Sequence, residues 1–497
     1  MNPDQHLLSI ITLMKRFLKW LGIGCLVLVL LFFVALPVCA QLGMVGWFAR
    51  VVSNLAWKQT ESLLRSKGEK LTFEELVAPP PEDAANFFAA PLWLELFYSG
   101  RPKEQWQINQ WKVPLTGEET DRLMAILPER KSPPEDRAKA LMALKKSLGE
   151  SSDPKSSSAV AKLTLDLAEP ATPILGMIAE LSKRPGASLP IRYQDGFAAA
   201  MPHLTPILGF GQVLGARCHA NLALGDSPNA AADIAGLLAL QKSLENEPVM
   251  VPFLVRQALI TIALEAINRG ISLHGWSETQ LFGFEQNLRE IQLQRNLAIC
   301  LRGERACVNT LLRNPNQTIV EGSRKLPGRS ILPLQVAVFN RIMQHTLDNL
   351  EQPPGKPWNS SVPVFPEIQA LKQSPRWIQA VNLLALLCLP ALDVSVIKAA
   401  QGQTQVNQTI IACALERYRI GQGSYPSSLD ALVPGYLASL PTAPTTGKPM
   451  HYRLQPDGIF LLWAQAWNLK TLDGQPGEFR GEGDVVWNQA LPMKRKP

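Results

Sequence analysis

From Trp20 to Ala40 the chain runs without a single charged residue, and the next charge after that run is Arg50. A helix of this length rises roughly 31 Å at about 1.5 Å per residue, which matches a bilayer's hydrocarbon core of about 30 Å. Lys15, Arg16 and Lys19 flank its amino-terminal side. The pattern predicts a cytoplasmic tail over residues 1–16 and a transmembrane signal anchor over 17–40, with the amino terminus inside. The run exceeds the h-region of about 7–15 residues found in signal peptides. Two other readings stay open, a cleaved signal peptide ending at Val38-Cys39-Ala40 and a lipoprotein signal ending at Cys39. The orientation signal is muted, because Arg50, Lys58, Arg65, Lys67 and Lys70 follow on the other side.

A chain of 497 residues exceeds what one hydrophobic core supports, so several structural units are expected. Hydrophobic residues at 46% and charged residues at 18% exclude a disordered chain. The net charge of +7 is spread thinly, with one dense basic run at Lys494-Arg495-Lys496. No basic stripe or motif points to nucleic acid. Seven cysteines are too scattered for a disulfide framework, and Cys300 and Cys307 can share a helix face but are too far apart to bond.

Residues 50–352 read as a helical body. Pro79-Pro80-Pro81 closes an opening helical section, and Gly149 to Ser158 reads as a polar loop. In Gly225-Asp226-Ser227-Pro228, glycine suits a helix end, while Asp226 or Ser227 caps the next helix and Pro228 fits its first turn. The following helix puts Ile234, Leu237, Leu238 and Leu244 on one face. Another apolar helix runs from Pro248 to Asn268, closed by Gly270. Ser277-Glu278-Thr279-Gln280 is a capping box that opens a long helix to about Arg313. Helices paired by short turns suggest tetratricopeptide-like hairpins, but no second copy recurs at a fixed period. A proline-rich linker, 353–375, separates this body from an α+β module over 376–497.

In that module, Val381 to Leu392 is apolar but short for a span, which favours a buried helix. The helix continues through Ile410, Ile411, Leu415 and Tyr418 and stops near Gly421 and Gly423. A helical turn over 428–434 follows, then strands at Met450–Leu454 and Ile459–Trp463, joined by Gln455-Pro456-Asp457-Gly458. Proline fixes φ in that turn and glycine supplies a positive φ. Asp484 to Trp487 reads as a third strand. The fold class expected is mainly α, with a transmembrane helix, a helical-hairpin body and a small carboxyl-terminal long helix plus antiparallel sheet.

Glu416 and Tyr418 on the helix, Tyr425-Pro426, Gly447-Lys448, Tyr452, Asp457-Gly458 and Asp484 together resemble the type II secretion pseudopilin, or type IV pilin-like, module. The whole chain, including Pro202-His203-Leu204 and Leu301-Arg302-Gly303-Glu304-Arg305-Ala306, looks like uncharacterised membrane proteins of planctomycete and verrucomicrobial bacteria. The resemblance implies action through helix packing and protein contacts, with a partner helix meeting Leu383–Tyr418. It places the chain in a bacterial inner membrane with its bulk in the periplasm. No pilin processing site precedes Leu383, so ordinary cleavage and polymerisation are not expected. Pseudopilins often hold calcium in a carboxyl-terminal loop. Asp473, Glu478, Glu482 and Asp484 lack the ligand spacing of a dedicated site, so no metal is expected.

Walker, G-x-S-x-G, H-E-x-x-H and C-x-x-C motifs are all missing, and no cofactor is expected. The charges among apolar neighbours, Arg256, Glu265, Glu304 and Arg305, together with His203, form the candidate polar cluster. Their simplest role is interhelical pairing that fixes register. The expectation is a non-enzymatic envelope or secretion-associated assembly component, held by the membrane and open to other envelope proteins. The alternatives are a hydrolase-like envelope enzyme with its site in the helical body, and a helical-hairpin peptide-binding protein.

Overall fold

The computed structural model describes residues 43–90, 154–313, 329–351, 366–465 and 484–488, with a few isolated positions between them. The anchor at 17–40, the orientation signals before it, all but two positions of the segment 101–150 and the basic tail lie outside the described residues. The helices are α1 (Met44–Ser66), α2 (Phe73–Leu76), α3 (Pro154–Ala168), α4 (Thr172–Leu181), α5 (Leu204–Ala223), α6 (Ser227–Ser243) and α7 (Met250–Ser272). They continue as α8 (Glu278–Arg289), α9 (Leu293–Arg313), α10 (Leu332–Leu350), α11 (Pro366–Gln373), α12 (Arg376–Val381) and α13 (Leu383–Gln422). The strands are β1 (His451–Leu454), β2 (Phe460–Gln465) and β3 (Asp484–Asn488). The chain is mainly helical, with one small antiparallel sheet in the order β1-β2-β3.

Helices α5, α6 and α7 form consecutive antiparallel hairpins. Gly225, at φ 77°, ends the first, and the Asp226 carboxylate accepts the Asn229 N–H at 3.2 Å to start the second. Inside that hairpin Asp233 is buried and accepts from Asn221 Nδ2 at 3.0 Å, with Arg217 Nε 3.3 Å away. Ile234, Leu237, Leu238 and Leu244 are buried, as their spacing predicts. Gln241 of the same helix is buried too, because a charged partner from α7 meets it there.

The central element is α13, a single helix of 40 residues and about 60 Å. It packs against α7, α8, α9, α10 and α11, and later against β2 and β3. Leu384, Leu389, Leu392 and Val396 in its first half and Val406, Ile410, Ile411 and Leu415 in its second are buried. Each such side chain contributes up to about 1.5–3 kcal/mol of burial. The apolar Val381–Leu392 stretch thus enters the core, with Leu387 left exposed. Helices α7 and α13 are long and apolar enough to cross a membrane by length and composition, yet 56% and 44% of their apolar stretches lie buried in the fold.

The sheet rests on the last third of α13. Gln408 Nε2 donates to the Val485 carbonyl at 2.6 Å, and Phe460 stacks on Trp487 at 4.6 Å. Gly458, at φ 80°, closes the β1–β2 turn, and the Asp457 carboxylate accepts the Ile459 N–H at 3.0 Å. All three strands fall within two residues of the stretches expected from sequence.

Several local expectations need correction. The helix expected from Ser277 to Arg313 is two helices, because the chain leaves helical geometry at Ile291-Gln292. Gln403 Oε1 on α13 accepts the Leu293 N–H at 2.8 Å and caps the second from 110 residues away. The expected loop at Gly149–Ser158 is helical from Pro154 onward. Gly270 does not close α7, which runs on to Ser272; its missing side chain instead leaves room for the Trp276 ring. Within the proline-rich 353–375 stretch, residues 366–373 form α11.

Gly303 of α9 lies so close to Pro248 that an added Cβ would fall 1.5 Å from the Pro248 carbonyl oxygen. Gly303→Ala is expected to lower stability by about 3 kcal/mol, while Gly283→Ala on α8, where a Cβ meets nothing, raises it by about 0.5–1 kcal/mol. Urea denaturation of the detergent-solubilised chain, followed by circular dichroism, measures both.

Candidate functional site

The polar residues of the body converge on one short stretch of α9, Arg302-Gly303-Glu304-Arg305. Arg302 and Arg305 are three apart and share a helix face. That face meets the connector between α1 and α2. Arg302 Nε and Nη2 donate to Glu69 at 2.8 Å each, and Nη1 reaches Glu351 at 2.5 Å. Arg305 is fully buried, donating to Glu69, to Gln344 Oε1 at 2.7 Å and to the Lys70 carbonyl at 3.2 Å. Gln344 Nε2 on α10 completes the ring by donating to Glu69 at 3.0 Å. Burial pushes the Glu69 carboxyl up, but the hydrogen bonds from Arg302, the charge and hydrogen bond of Arg305 and the bond from Gln344 outweigh it and hold it at about 2.

The opposite face of α9 carries Cys300, Glu304 and Cys307, of which Cys300 and Glu304 meet the turn between α6 and α7 and the start of α7. Glu304 Oε1 accepts the Met250 N–H at 2.8 Å, so a carboxylate from another helix caps the first turn of α7. Burial raises the Glu304 carboxyl, and the Met250 N–H partly offsets it. In the same turn stands Glu247, whose carbonyl accepts from Cys300 Sγ at 3.5 Å and whose carboxyl accepts from the Tyr193 hydroxyl. Burial, partly offset by the Tyr193 hydrogen bond, lifts Glu247 to about 7.

His203 begins α5, where its carbonyl accepts the Ile207 N–H at 3.1 Å. Its Nε2 comes within 4.0 Å of Glu247 Oε1, and its ring meets Phe88 edge-on at 6.3 Å. Burial lowers the His203 imidazole to about 3, so it is neutral near pH 7 and the approach to Glu247 is not an ion pair. Arg256, also buried, donates to Gln241 Oε1 at 2.9 Å and Asn296 Oδ1 at 2.5 Å, with Glu245 at 3.4 Å. Glu265 sits half-buried nine residues on, about 13 Å further along α7, and is not among Arg256's partners.

The structure thus brings His203, Arg256, Glu304 and Arg305 around the α6–α7 turn and α9, and leaves Glu265 apart. It adds Tyr193, Glu247 and Glu69, none of which stood out in the sequence. Asp233, a lone charge in Ala230-Ala231-Ala232-Asp233-Ile234-Ala235, carried a readable signal; burial lifts it to about 7 despite Arg217 and Asn221. Burial raises the proton affinity of Glu247, Glu304, Tyr193 and two thiols of the cluster. Cys300 and Cys307 are pushed up by burial, which suppresses the thiolate a nucleophile needs.

The module residues are equally committed to structure. Glu416 accepts from Tyr425 at 2.5 Å, Arg419 at 2.8 Å and His274 at 2.9 Å. Tyr452 donates to the Pro426 carbonyl at 2.7 Å, and Tyr418 packs on Tyr436. Gly447, at φ 66°, and Lys448 form the turn before β1, where the Lys448 carbonyl accepts from Ala443 at 2.8 Å. Asp484 Oδ2 accepts the Gly474 N–H at 2.8 Å. Asp473, Glu478 and Glu482 lie outside the described residues, and among the described residues no group of three acidic, histidine or cysteine side chains is placed to hold a metal. A cleft of about 180 Å³ opens between Arg289, Gln292, Gln403, Asn407 and Ser439. Most of its polar side chains are bonded within the fold: Arg289 to Glu285, Gln292 to the Arg289 carbonyl, Gln403 to Leu293 and Asn407, and Asn407 to the Thr442 carbonyl.

Two measurements check this description. Glu69→Gln strips the charge that balances Arg302 and Arg305 and is expected to cost about 3–5 kcal/mol. For Glu247 the sign is opposite to an ordinary ion pair. The unfolded carboxyl ionises near 4.5 and the folded one near 7, so stability falls as pH rises between them and is level above. Glu247→Gln is therefore expected to gain on the native chain across that interval, by about 3 kcal/mol at its upper end. Urea titrations at a series of pH values read both. Comparison of the chain with protein-family models, with curated proteins and with solved structures gives no match.

Proposed function

We propose that the chain is a single-pass protein of a bacterial inner membrane, anchored through 17–40, that presents a pilin-like α+β end on the periplasmic side. In this reading it is a non-enzymatic assembly component of the envelope or of a secretion apparatus. One observation carries it. A continuous α13 is gripped by the helical body along its first half and bears a three-stranded antiparallel sheet on its last third. From Leu383 to Gln408, where the sheet docks, the helix spans about 37 Å. Such a strut suits a protein that holds an interaction module at a fixed distance. A partner helix along Leu383–Tyr418 would have to share that helix with α7 to α11, which pack along it. Contacts are therefore assigned to the sheet end.

The enzyme alternative is weaker. Tyr193, His203 and Glu247 come together with shifted proton affinities, but all three are buried in the core, Tyr193 is bonded to Glu247, and the half-buried Glu304 is held by the Met250 N–H. The peptide-binding alternative needs a concave groove, whereas the cleft beside α13 holds about 180 Å³ against the ~300–1,000 Å³ of typical ligand sites.

Truncation before α13 would remove core side chains, so the test uses the full chain. A photo-reactive residue is placed at exposed Lys448 or Asp457 on the sheet end, or at exposed Lys183 beyond α4. Discrete adducts with envelope proteins from the first two positions, and none from Lys183, are expected in native membranes. Unmodified chain from all three positions would overturn the assembly reading.

A further inference from the structure

One end of the described body carries an apolar surface that the fold does not cover. At the start of α1, Trp47 and Phe48 are 65% and 64% exposed. Val51, Val52 and Leu55 continue the exposed apolar surface of α1, which Arg50 and Asn54 interrupt. On α12 and the second turn of α13, Trp377 is 70% and Leu387 51% exposed.

These two patches lie at the same end of the molecule. Helix α1 packs against α10 and the turn before it, with Gly46 close to Ser330. Gln335, five residues and about 7.5 Å further along, donates to the Ala380 carbonyl of α12 at 3.3 Å. Cationic side chains border both patches, with Arg50 beside Trp47 and Phe48 and Arg376 beside Trp377, all exposed. Tryptophan at an apolar surface flanked by arginine or lysine is the composition that favours the boundary between acyl chains and headgroups.

We infer that this end of the body rests on the bilayer, with Trp47, Phe48, Trp377 and Leu387 at the acyl–headgroup boundary and Arg50 and Arg376 at lipid phosphates. The chain's own connectivity selects lipid as the occupant. Only three residues separate Ala40 from Met44, a reach of at most about 14 Å, so a span ending at Ala40 holds the start of α1 near the membrane surface. The sheet, which docks about 37 Å along α13 from Leu383, then projects away from the lipid. The inference rests on the anchored reading proposed above and adds a second, peripheral contact to it.

The test uses the full chain in vesicles of phosphatidylcholine brominated on its acyl chains, which quench nearby tryptophan emission. Trp20 in the anchor, Trp47 and Trp377 are the tryptophans expected to be quenched. Trp47→Phe with Trp377→Phe is therefore expected to remove more than about half of the quenched emission. Both side chains are exposed, so the substitutions leave the core intact. Quenching unchanged by the two substitutions, in chain that survives an alkaline carbonate wash, overturns the surface contact while the anchor stands. Release of the chain by the wash overturns both. Unquenched Trp47 and Trp377 that cross-link between copies would make this end a self-association face and overturn the lipid contact.

Discussion

Four consecutive residues of α9 tie the helical body together, each by a different kind of interaction. Arg302 and Arg305 draw the α1–α2 connector and α10 onto α9 through Glu69, Glu351 and Gln344. Gly303 lets the Pro248 backbone approach where no side chain would fit. Glu304 caps α7 through the Met250 N–H. Two arginines against Glu69 leave net positive charge in a poorly hydrated place, and Glu351, half-exposed, balances it. A buried network of this kind is strongly destabilised by loss of one member, and its geometry admits a single register between the helices.

The other organising element is α13. Along it the chain passes from an apolar first half, buried at Leu384, Leu389, Leu392 and Val396, to a second half that meets α7 at Asn268, α8 at Glu285 and the sheet at Val485. Gln403 caps α9, Arg417 Nη1 pairs with Glu285 at 2.9 Å, and His274 meets Glu416, so body and sheet end are cross-linked at several levels. A load on the sheet would be carried into the body rather than lost in a hinge at those points. That rigidity is the physical basis for the strut-like role proposed for the chain.

Local chemistry was readable in the sequence, and distant chemistry was not. The Gln455-Pro456-Asp457-Gly458 turn and its flanking strands follow from turn propensity and apolar runs alone. The α5–α6 hairpin follows from Gly225, Asp226 and Pro228. The break between α8 and α9 was hidden because its cap, Gln403, comes from another helix. Gly270 read as a terminator because its real role, room for the Trp276 ring, is tertiary. At the candidate site, Arg256, His203, Glu304 and Arg305 stood out as polar groups in apolar surroundings. Glu69 and Glu247 did not, since each sits in an ordinary polar turn and becomes buried only when helices far away in sequence close over it. The proline-rich 353–375 stretch marks a change of composition, yet α13 beyond it is packed into the core of the residues before it.

The central claim is that α9 and α13 form one cooperative core shared by the body and the sheet end. Native-state hydrogen exchange on the full chain, read by mass spectrometry, tests this most directly. The account predicts that amides of Leu297–Asn309 and Val396–Leu415 are the slowest to exchange and respond together to low denaturant. Independent opening of α13 with the sheet, while α9 stays protected, would contradict it.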